Sequence, residues 1–305
     1  MICKVCKSSD VEVLGKVRDQ DVNAMYCREC DTVFPSCFPS EKELDKYYSG
    51  FTANHQYGSK LREQVASYYS KRKCRAILNK IHRYTTVERV LDFGGGSGYF
   101  SRGFKLNGVD VDLYDIDRES MIVAKERGIN TIESIESVPQ YDLVFSSHVI
   151  EHYPDLHQFI EQAIAPLKAG GILVVCCPNK NANEFYRHFH CRNYQNRIEP
   201  IPGSKHSTSR WFCFDPPRHL YAISKQTIDS LAKTHGLESL SVFTQYSRCS
   251  NFHSGDLPFL FLIRPLLKNR NMMIDTVLAV FFSRLMTFMR RRRGDSLVAI
   301  LRKIK

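Results

Sequence analysis

Three groups of residues in this chain have the types and spacing that chemistry requires. The first is Asp92-Phe93-Gly94-Gly95-Gly96-Ser97-Gly98, which follows a short apolar run. Glycines in such a turn let a ligand lie against bare backbone. The stretch has no Gly-Lys-Ser/Thr ending, because Tyr99 follows Gly98, so it is not a phosphate loop. It does not fit the G-x-G-x-x-G dinucleotide turn either, because Tyr99 or Ser101 stands where the last glycine should be. The second group is Cys3, Cys6, Cys27 and Cys30, two C-x2-C pairs with the spacing of a zinc ribbon. Two such knuckles aim four thiolates at one ion and leave no open coordination position, so the metal is structural. The third is His148, His152 and His219, each a candidate general base or a structural hydrogen-bonding histidine.

The surrounding pattern indicates which elements position these groups. From Val87 onward short apolar runs alternate with helical stretches. Strands are expected at 90–93, 111–114, 141–145, 172–177, 239–243 and 296–301, and helices at 99–106, 118–127, 156–168 and 224–235, with Ser224 as an N-cap. The run Ile172–Cys177 has no polar interruption, as expected for a strand buried on both faces. This succession predicts an α/β fold, a Rossmann-like doubly wound sheet of about seven strands. The glycine turn then follows its first strand, where such sheets bind ligands. Residues 1–40 read as the zinc ribbon, 41–85 as a tyrosine-rich helical connector, and 86–305 as the sheet domain. Within the last, 180–220 loses periodicity and reads as a lid or substrate loop, and 256–290 as an apolar helical insertion before the final strand.

Composition narrows the function classes. With 43% hydrophobic and 25% charged residues the chain is of ordinary globular type. The opening MICKVCKSSD carries charges where the apolar core of a signal peptide would stand, so a cytoplasmic location is expected. Of the net charge of +11, residues 290–305 supply +6, from Arg290–Arg293, Arg302, Lys303 and Lys305 against Asp295. Basicity at one end differs from the broad basic face of a nucleic-acid binder. In the ribbon, acids offset the basic residues. A nucleic-acid partner is therefore not expected, and an RNA-binding role for the ribbon is the alternative reading.

The residues around the glycine turn resemble the class I S-adenosylmethionine-dependent methyltransferases. The turn matches that family's first motif, and "YDLVFSSHVIEHYPDLHQFIEQAIAPLKAGGILVVCCPN" (141–179) resembles its fourth strand, Glu-His turn, glycine turn and fifth strand. "DPPRHLYAISKQTIDSLAKTHGLES" (215–239) and "GDSLVAILRK" (294–303) resemble a subgroup of it, and a four-cysteine knuckle with a tyrosine-rich connector occurs in relatives that modify sugars and other small metabolites. The resemblance implies S-adenosylmethionine as cofactor, held by Asp92, Gly94, Gly96, Gly98, Asp115 and Ser147. Asp115 would accept hydrogen bonds from both ribose hydroxyls, as acids at this place do in dinucleotide folds. Asp117 is the runner-up, and the alternative for both is helix capping. The third-strand region, "INTIESIESVPQ" (129–140), departs from the family pattern in lacking a clean acid for the adenine amino group, and Glu133 is the candidate there.

For a hydroxyl acceptor, His152 and His219 are the expected catalytic residues, while Tyr186, His188, His190, Trp211 and Phe212 suit a cover over a bound ring. The acceptor is read as a small molecule: a sugar, a glycan precursor or a lipid-linked metabolite. A non-catalytic zinc-ribbon scaffold is the alternative from another class. In residues 272–293 a wide apolar helical face precedes four arginines, which suits peripheral contact with the inner face of an anionic membrane. Docking on the protein's own core or on a second copy in a homodimer fits the same face.

Overall fold

The computed structural model describes residues 1–17, 20–48, 60–135, 141–182, 198–200, 214–245, 294 and 296–304. In chain order the elements begin with β1 (Val11–Val17), β2 (Asn23–Cys27), β3 (Thr32–Pro35), α1 (Glu41–Tyr48) and α2 (Lys60–Ile81). Then come β4 (Arg89–Phe93), α3 (Tyr99–Lys105), β5 (Asp110–Tyr114), α4 (Arg118–Glu126), β6 (Asn130–Thr131) and β7 (Tyr141–Ser147). The chain continues through α5 (Leu156–Ile164), β8 (Leu167–Pro178), β9 (Ile198–Pro200), α6 (Lys225–Thr234), β10 (Leu237–Gln245) and β11 (Ser296–Lys303).

Seven strands form one sheet in the order β10-β11-β8-β7-β4-β5-β6. The α/β fold with about seven strands is thus as expected from the sequence. β4 pairs in parallel with β5 and β7, β5 with β6, and β7 with β8. Leu143, Val144, Phe145 and Ile172–Val175 are buried to within 1%, which explains why these strands carry no polar alternation.

Most expected boundaries shift by one or two residues, and the largest difference lies where α5 ends and β8 begins. The helix expected over 156–168 ends at Ile164, and β8 already begins at Leu167. Pro166 has no amide hydrogen for a helix and clashes with the preceding turn. The Lys303 ammonium donates to the Ile164 and Leu167 carbonyls, at 2.9 and 2.8 Å, and so caps the shortened helix. Pairing with β7 jumps from Tyr141↔Leu167 to Leu143↔Ile172, so the glycine turn is a bulge inside the strand.

Helix α2 packs on α3. A Cβ placed on Gly103 would lie 2.5 Å from the Cys74 sulfur and 2.6 Å from the Ser70 carbonyl oxygen. Only glycine allows this approach. Asn107 adds two bonds through its amide nitrogen, to the Lys71 and Gly103 carbonyls at 2.8 Å each.

The chain divides into two compact units, one of residues 1–38, 178–227 and 243–298, the other of 39–177, 228–242 and 299–305. In the first, β1, β2, β3 and β9 form a four-stranded sheet in the order β3-β2-β1-β9. Its core is Leu14, Val17, Ala24, Val33, Ile198, Phe214 and Ala222. The segment expected as an acceptor-side lid therefore shares its hydrophobic core with the four-cysteine segment.

The apolar insertion at 256–290 and the arginines at 290–293 lie outside the described residues, as do Tyr186, His188, His190, Trp211 and Phe212. The flanks of the insertion meet: a Cβ on Gly294 would stand 2.4 Å from the Gln245 carbonyl oxygen. Among the described residues no helix is long and apolar enough to cross a membrane.

Candidate functional site

The glycine turn links the carboxyl end of β4 to α3. Gly94, Gly96 and Gly98 have φ of +73°, +52° and +83°, left-handed values that side chains resist. The first two amides of the turn are fastened to the next strand, with Gly94 and Gly95 donating to the Tyr114 carbonyl at 2.7 and 3.3 Å. At Gly95 an added Cβ would press on the Asp92 carboxyl group at 2.8 Å. At Gly96 it would meet none of the described residues within 4 Å, so among them this face of the turn is open to a ligand.

Asp92 shapes this turn from below. It is 1% exposed, and its Oδ2 accepts from the Ser101 amide at 2.9 Å and the Ser101 hydroxyl at 2.6 Å. Gly98, the N-cap of α3, has no side chain to satisfy the first turn, so Asp92 supplies that acceptor from the preceding strand. Burial pushes its carboxyl group up to about 7, against the pull of the Ser101 bonds. Asp92 is thus placed to hold the turn rather than to touch a ligand.

The two acids after β5 have different roles. Asp117 caps α4, accepting from the Glu119 amide at 3.1 Å and the Ser120 hydroxyl at 2.8 Å. Asp115 does not cap it. One carboxylate oxygen accepts the Gly96 amide at 2.7 Å and the other the Asp117 amide at 2.9 Å. Burial raises its pKa, and these two amides offset part of that cost. Asp115 therefore offers a partly desolvated carboxylate beside the open face of Gly96. Glu133 is exposed.

The turn after β7 faces the same glycines. A Cβ on Gly94 would strike Val149 at 2.4 Å. Ser147, expected in cofactor binding, is half-buried at the end of β7. His148 follows with φ +59°, a strained value for a non-glycine residue. Its amide donates to the Cys176 carbonyl at 2.8 Å, and its Nδ1 lies 3.2 Å from Oε1 of Glu151, which is 1% exposed. A buried carboxylate orients the imidazole of His148, a partnership that the sequence did not single out. His152 ends a short 3-10 turn and is half-buried.

His219 belongs to the other compact unit. It closes a tight loop in which Asp215 and His219 exchange backbone hydrogen bonds, at 3.0 and 2.9 Å, around the cis Pro216-Pro217 bond. The same unit holds the four cysteines. The Cys3 and Cys30 sulfurs are 3.6 Å apart, those of Cys6 and Cys27 3.5 Å, and all four lie within 4.8 Å of one another. Thiolates at about 2.3 Å from a tetrahedral zinc stand about 3.8 Å apart, so the group fits that ion. The Val5 amide donates to the Cys3 sulfur at 3.4 Å, the kind of outer contact that steadies a thiolate ligand.

A cavity of 370 Å³ lined by Tyr84, Asp142, Lys168, Gly170 and Arg302 sits at the amino ends of β7 and β8. Ligands of such sheets bind at the carboxyl ends, where the glycine turn is, so this cavity is not taken as the site.

The sequence profile of a family described as "Methyltransferase domain" matches residues 61–242. Among curated relatives, the ubiquinone biosynthesis O-methyltransferase of Bordetella avium is 27% identical over 175 residues, covering 53% of this chain and 70% of that protein. The enzyme of the same name from Rickettsia prowazekii is 24% identical over 213 residues, covering 65% and 81%. Among solved structures, a SAM-dependent methyltransferase from Archaeoglobus fulgidus is 14% identical, with a TM-score of 0.43 over 75% of this chain and 94% of that one. The plantazolicin methyltransferase BpumL in complex with SAH is also 14% identical, with a TM-score of 0.44 over 87% and 99%.

Proposed function

Because the chain belongs to the methyltransferase-domain family and is an S-adenosylmethionine-dependent methyltransferase, we propose that it methylates a hydroxyl oxygen on a small, lipid-linked molecule. The sugar, the glycan precursor and the lipid-linked metabolite were all open from the sequence. The last is favoured by relatives named for ubiquinone biosynthesis. The observation that carries the hydroxyl reading is the pairing of His148 with the buried Glu151 in the turn that faces Gly94.

When bound, the cofactor supplies an electrophilic methyl group. The residues fitted to hold it are Gly94, Gly96 and Gly98, with Asp115 for its hydroxyls and Ser147 alongside. Asp92 acts one step back, by fixing the turn. The chain's other task is to bring the acceptor oxygen into line and take its proton. His152 and His219 remain candidates for that proton, and His148 joins them, since its imidazole is already oriented by a carboxylate. Acceptor recognition falls to residues 178–227, which leave the carboxyl end of β8. Zinc at Cys3, Cys6, Cys27 and Cys30 is structural in this reading.

A lipid-linked acceptor also gives the apolar, arginine-flanked sequence at 272–293 a task, holding the enzyme at an anionic bilayer. Liposome flotation of the full chain tests that part. The activity itself is tested with labelled S-adenosylmethionine and two probes, farnesyl-catechol and a sugar mixture. Label on the catechol oxygen is expected; label only on sugar, or on a carbon of the catechol, would overturn the acceptor class.

A further inference from the structure

Four consecutive residues at the second cysteine knuckle hold both ends of the segment 178–227. The Cys30 carbonyl accepts from the Thr227 hydroxyl at 3.0 Å and lies 3.5 Å from the Ser224 hydroxyl. Asp31 pairs with the Lys180 ammonium, and its other oxygen accepts from the Asn181 side-chain amide at 3.2 Å. The Thr32 hydroxyl donates to the Ala222 carbonyl at 3.3 Å. Val33 and Ala222 exchange backbone bonds at 3.2 and 2.9 Å. Lys180 and Asn181 open the segment; Ala222, Ser224 and Thr227 close it.

These contacts are costly to lose. Lys180 is 5% exposed, and its ammonium also lies 5.1 Å from the Tyr26 ring, so without Asp31 it would be a buried, uncompensated charge. Tyr26 donates to Asp31 at 2.9 Å, which fixes the carboxylate from the ribbon side. Between the two ends, the β1 residues Gly15, Lys16 and Val17 pair with β9, and the Gln20 amide donates to the Pro216 carbonyl at 2.6 Å. Every described stretch of the segment is therefore tied to residues 14–33.

We infer that the four-cysteine centre is the scaffold of the described stretches of 178–227, which are 178–182, 198–200 and 214–227, and that metal bound there sets their position. The physical chain is short. The knuckle Cys27–Cys30 takes its shape from the ion, and the residues that grip the segment begin at the ligand Cys30 itself. A ribbon of this size does not fold without its metal. With the ion removed, Cys30 to Val33 lose their fixed spacing and release both ends of the segment together. Asp31, Lys180 and Thr227 are positioning residues in this account. Its meaning for turnover rests on the reading that 178–227 recognises the acceptor.

The test uses the full chain, loaded with zinc and after removal of zinc by chelator, and follows amide hydrogen exchange. Peptides covering 180–182 and 220–224 are expected to exchange about tenfold faster or more without metal, while those over 110–115 keep their rates. Unchanged protection at 180–182 and 220–224, or a purified reduced protein that carries no zinc, would overturn the inference. Two variants leave all four ligands in place: Asp31→Asn, which suits the φ of +52° at that position, and Thr227→Val. Each is expected to loosen 180–182 or 220–224 with full zinc content, and to raise the KM for farnesyl-catechol more than it lowers kcat, with S-adenosylmethionine affinity unchanged. Loosening in both variants with an unmoved KM would leave the scaffold standing and remove the acceptor reading instead.

Discussion

The Asp115 carboxylate accepts the Gly96 amide at 2.7 Å, and so fastens the glycine turn to the strand beside it. This one contact separates Asp115 from Asp117, which caps the following helix. An acid two positions away on the same strand end has been committed to secondary structure; Asp115 has been committed to the turn. Its remaining lone pairs lie next to the open face of Gly96, where two ribose hydroxyls can meet a charged acceptor.

Asp92 should make stability depend on pH in an unusual direction. Its folded pKa is about 7 against an ordinary 3.8. Between those values the folded state keeps a proton that the unfolded chain has released, so stability falls as pH rises through that window and the loss is complete above it. Asp92→Asn keeps an acceptor for Ser101 without the charge. The variant should match the wild type in urea midpoint near about pH 4 and exceed it by a growing margin toward about pH 8. A difference independent of pH would contradict the assignment.

Gly103→Ala should destabilise the chain by about 1–3 kcal/mol, because the new methyl group must displace the Ser70 backbone, which cannot swing away as a side chain can. Equilibrium unfolding in urea reads this directly. An unchanged midpoint would mean that α2 does not pack on α3 as described.

The sheet was legible in the sequence because buried parallel strands are plain apolar runs, and the glycine turn because three of its positions need left-handed backbone. The end of α5 is also written locally, in Pro166, which overrides the apolar periodicity around it. Other features depend on residues far apart in the chain. Nothing local in Ser101 says that it will bond Asp92, and nothing in Lys180 says that it will meet Asp31 across 149 positions of sequence. The tie between the four-cysteine segment and 178–227 is of this kind. Cysteine spacing announces a metal, but not what the metal-bound knuckle holds.

One zinc per chain is expected in freshly purified, reduced protein, measured by atomic emission against protein concentration. Zinc should leave as acid protonates the thiolates, since ligands must be deprotonated to bind. Cys6→Ser should lose the ion while residues 89–115 keep their native exchange rates. A wild-type protein free of zinc, or a Cys6→Ser protein that keeps it tightly, would remove the metal from the account.

If a histidine takes the acceptor proton, replacing it should lower kcat by about 10²–10⁴-fold with cofactor affinity nearly intact. His148→Ala, His152→Ala and His219→Ala are to be compared on the same acceptor, alongside Glu151→Gln. A loss in Glu151→Gln parallel to that in His148→Ala would identify the oriented pair as the working base. Full turnover in all three alanine variants would show that positioning alone drives the transfer.

The central claim, that the glycine turn and Asp115 form the cofactor site, is tested most directly by calorimetric titration of S-adenosylmethionine into the wild type and Asp115→Ala. Removing hydrogen bonds to a charged acceptor costs about 1.5–3 kcal/mol each, so affinity should fall at least about tenfold while the variant stays folded. Equal affinity in the two proteins, or no heat of binding in the wild type, would contradict it.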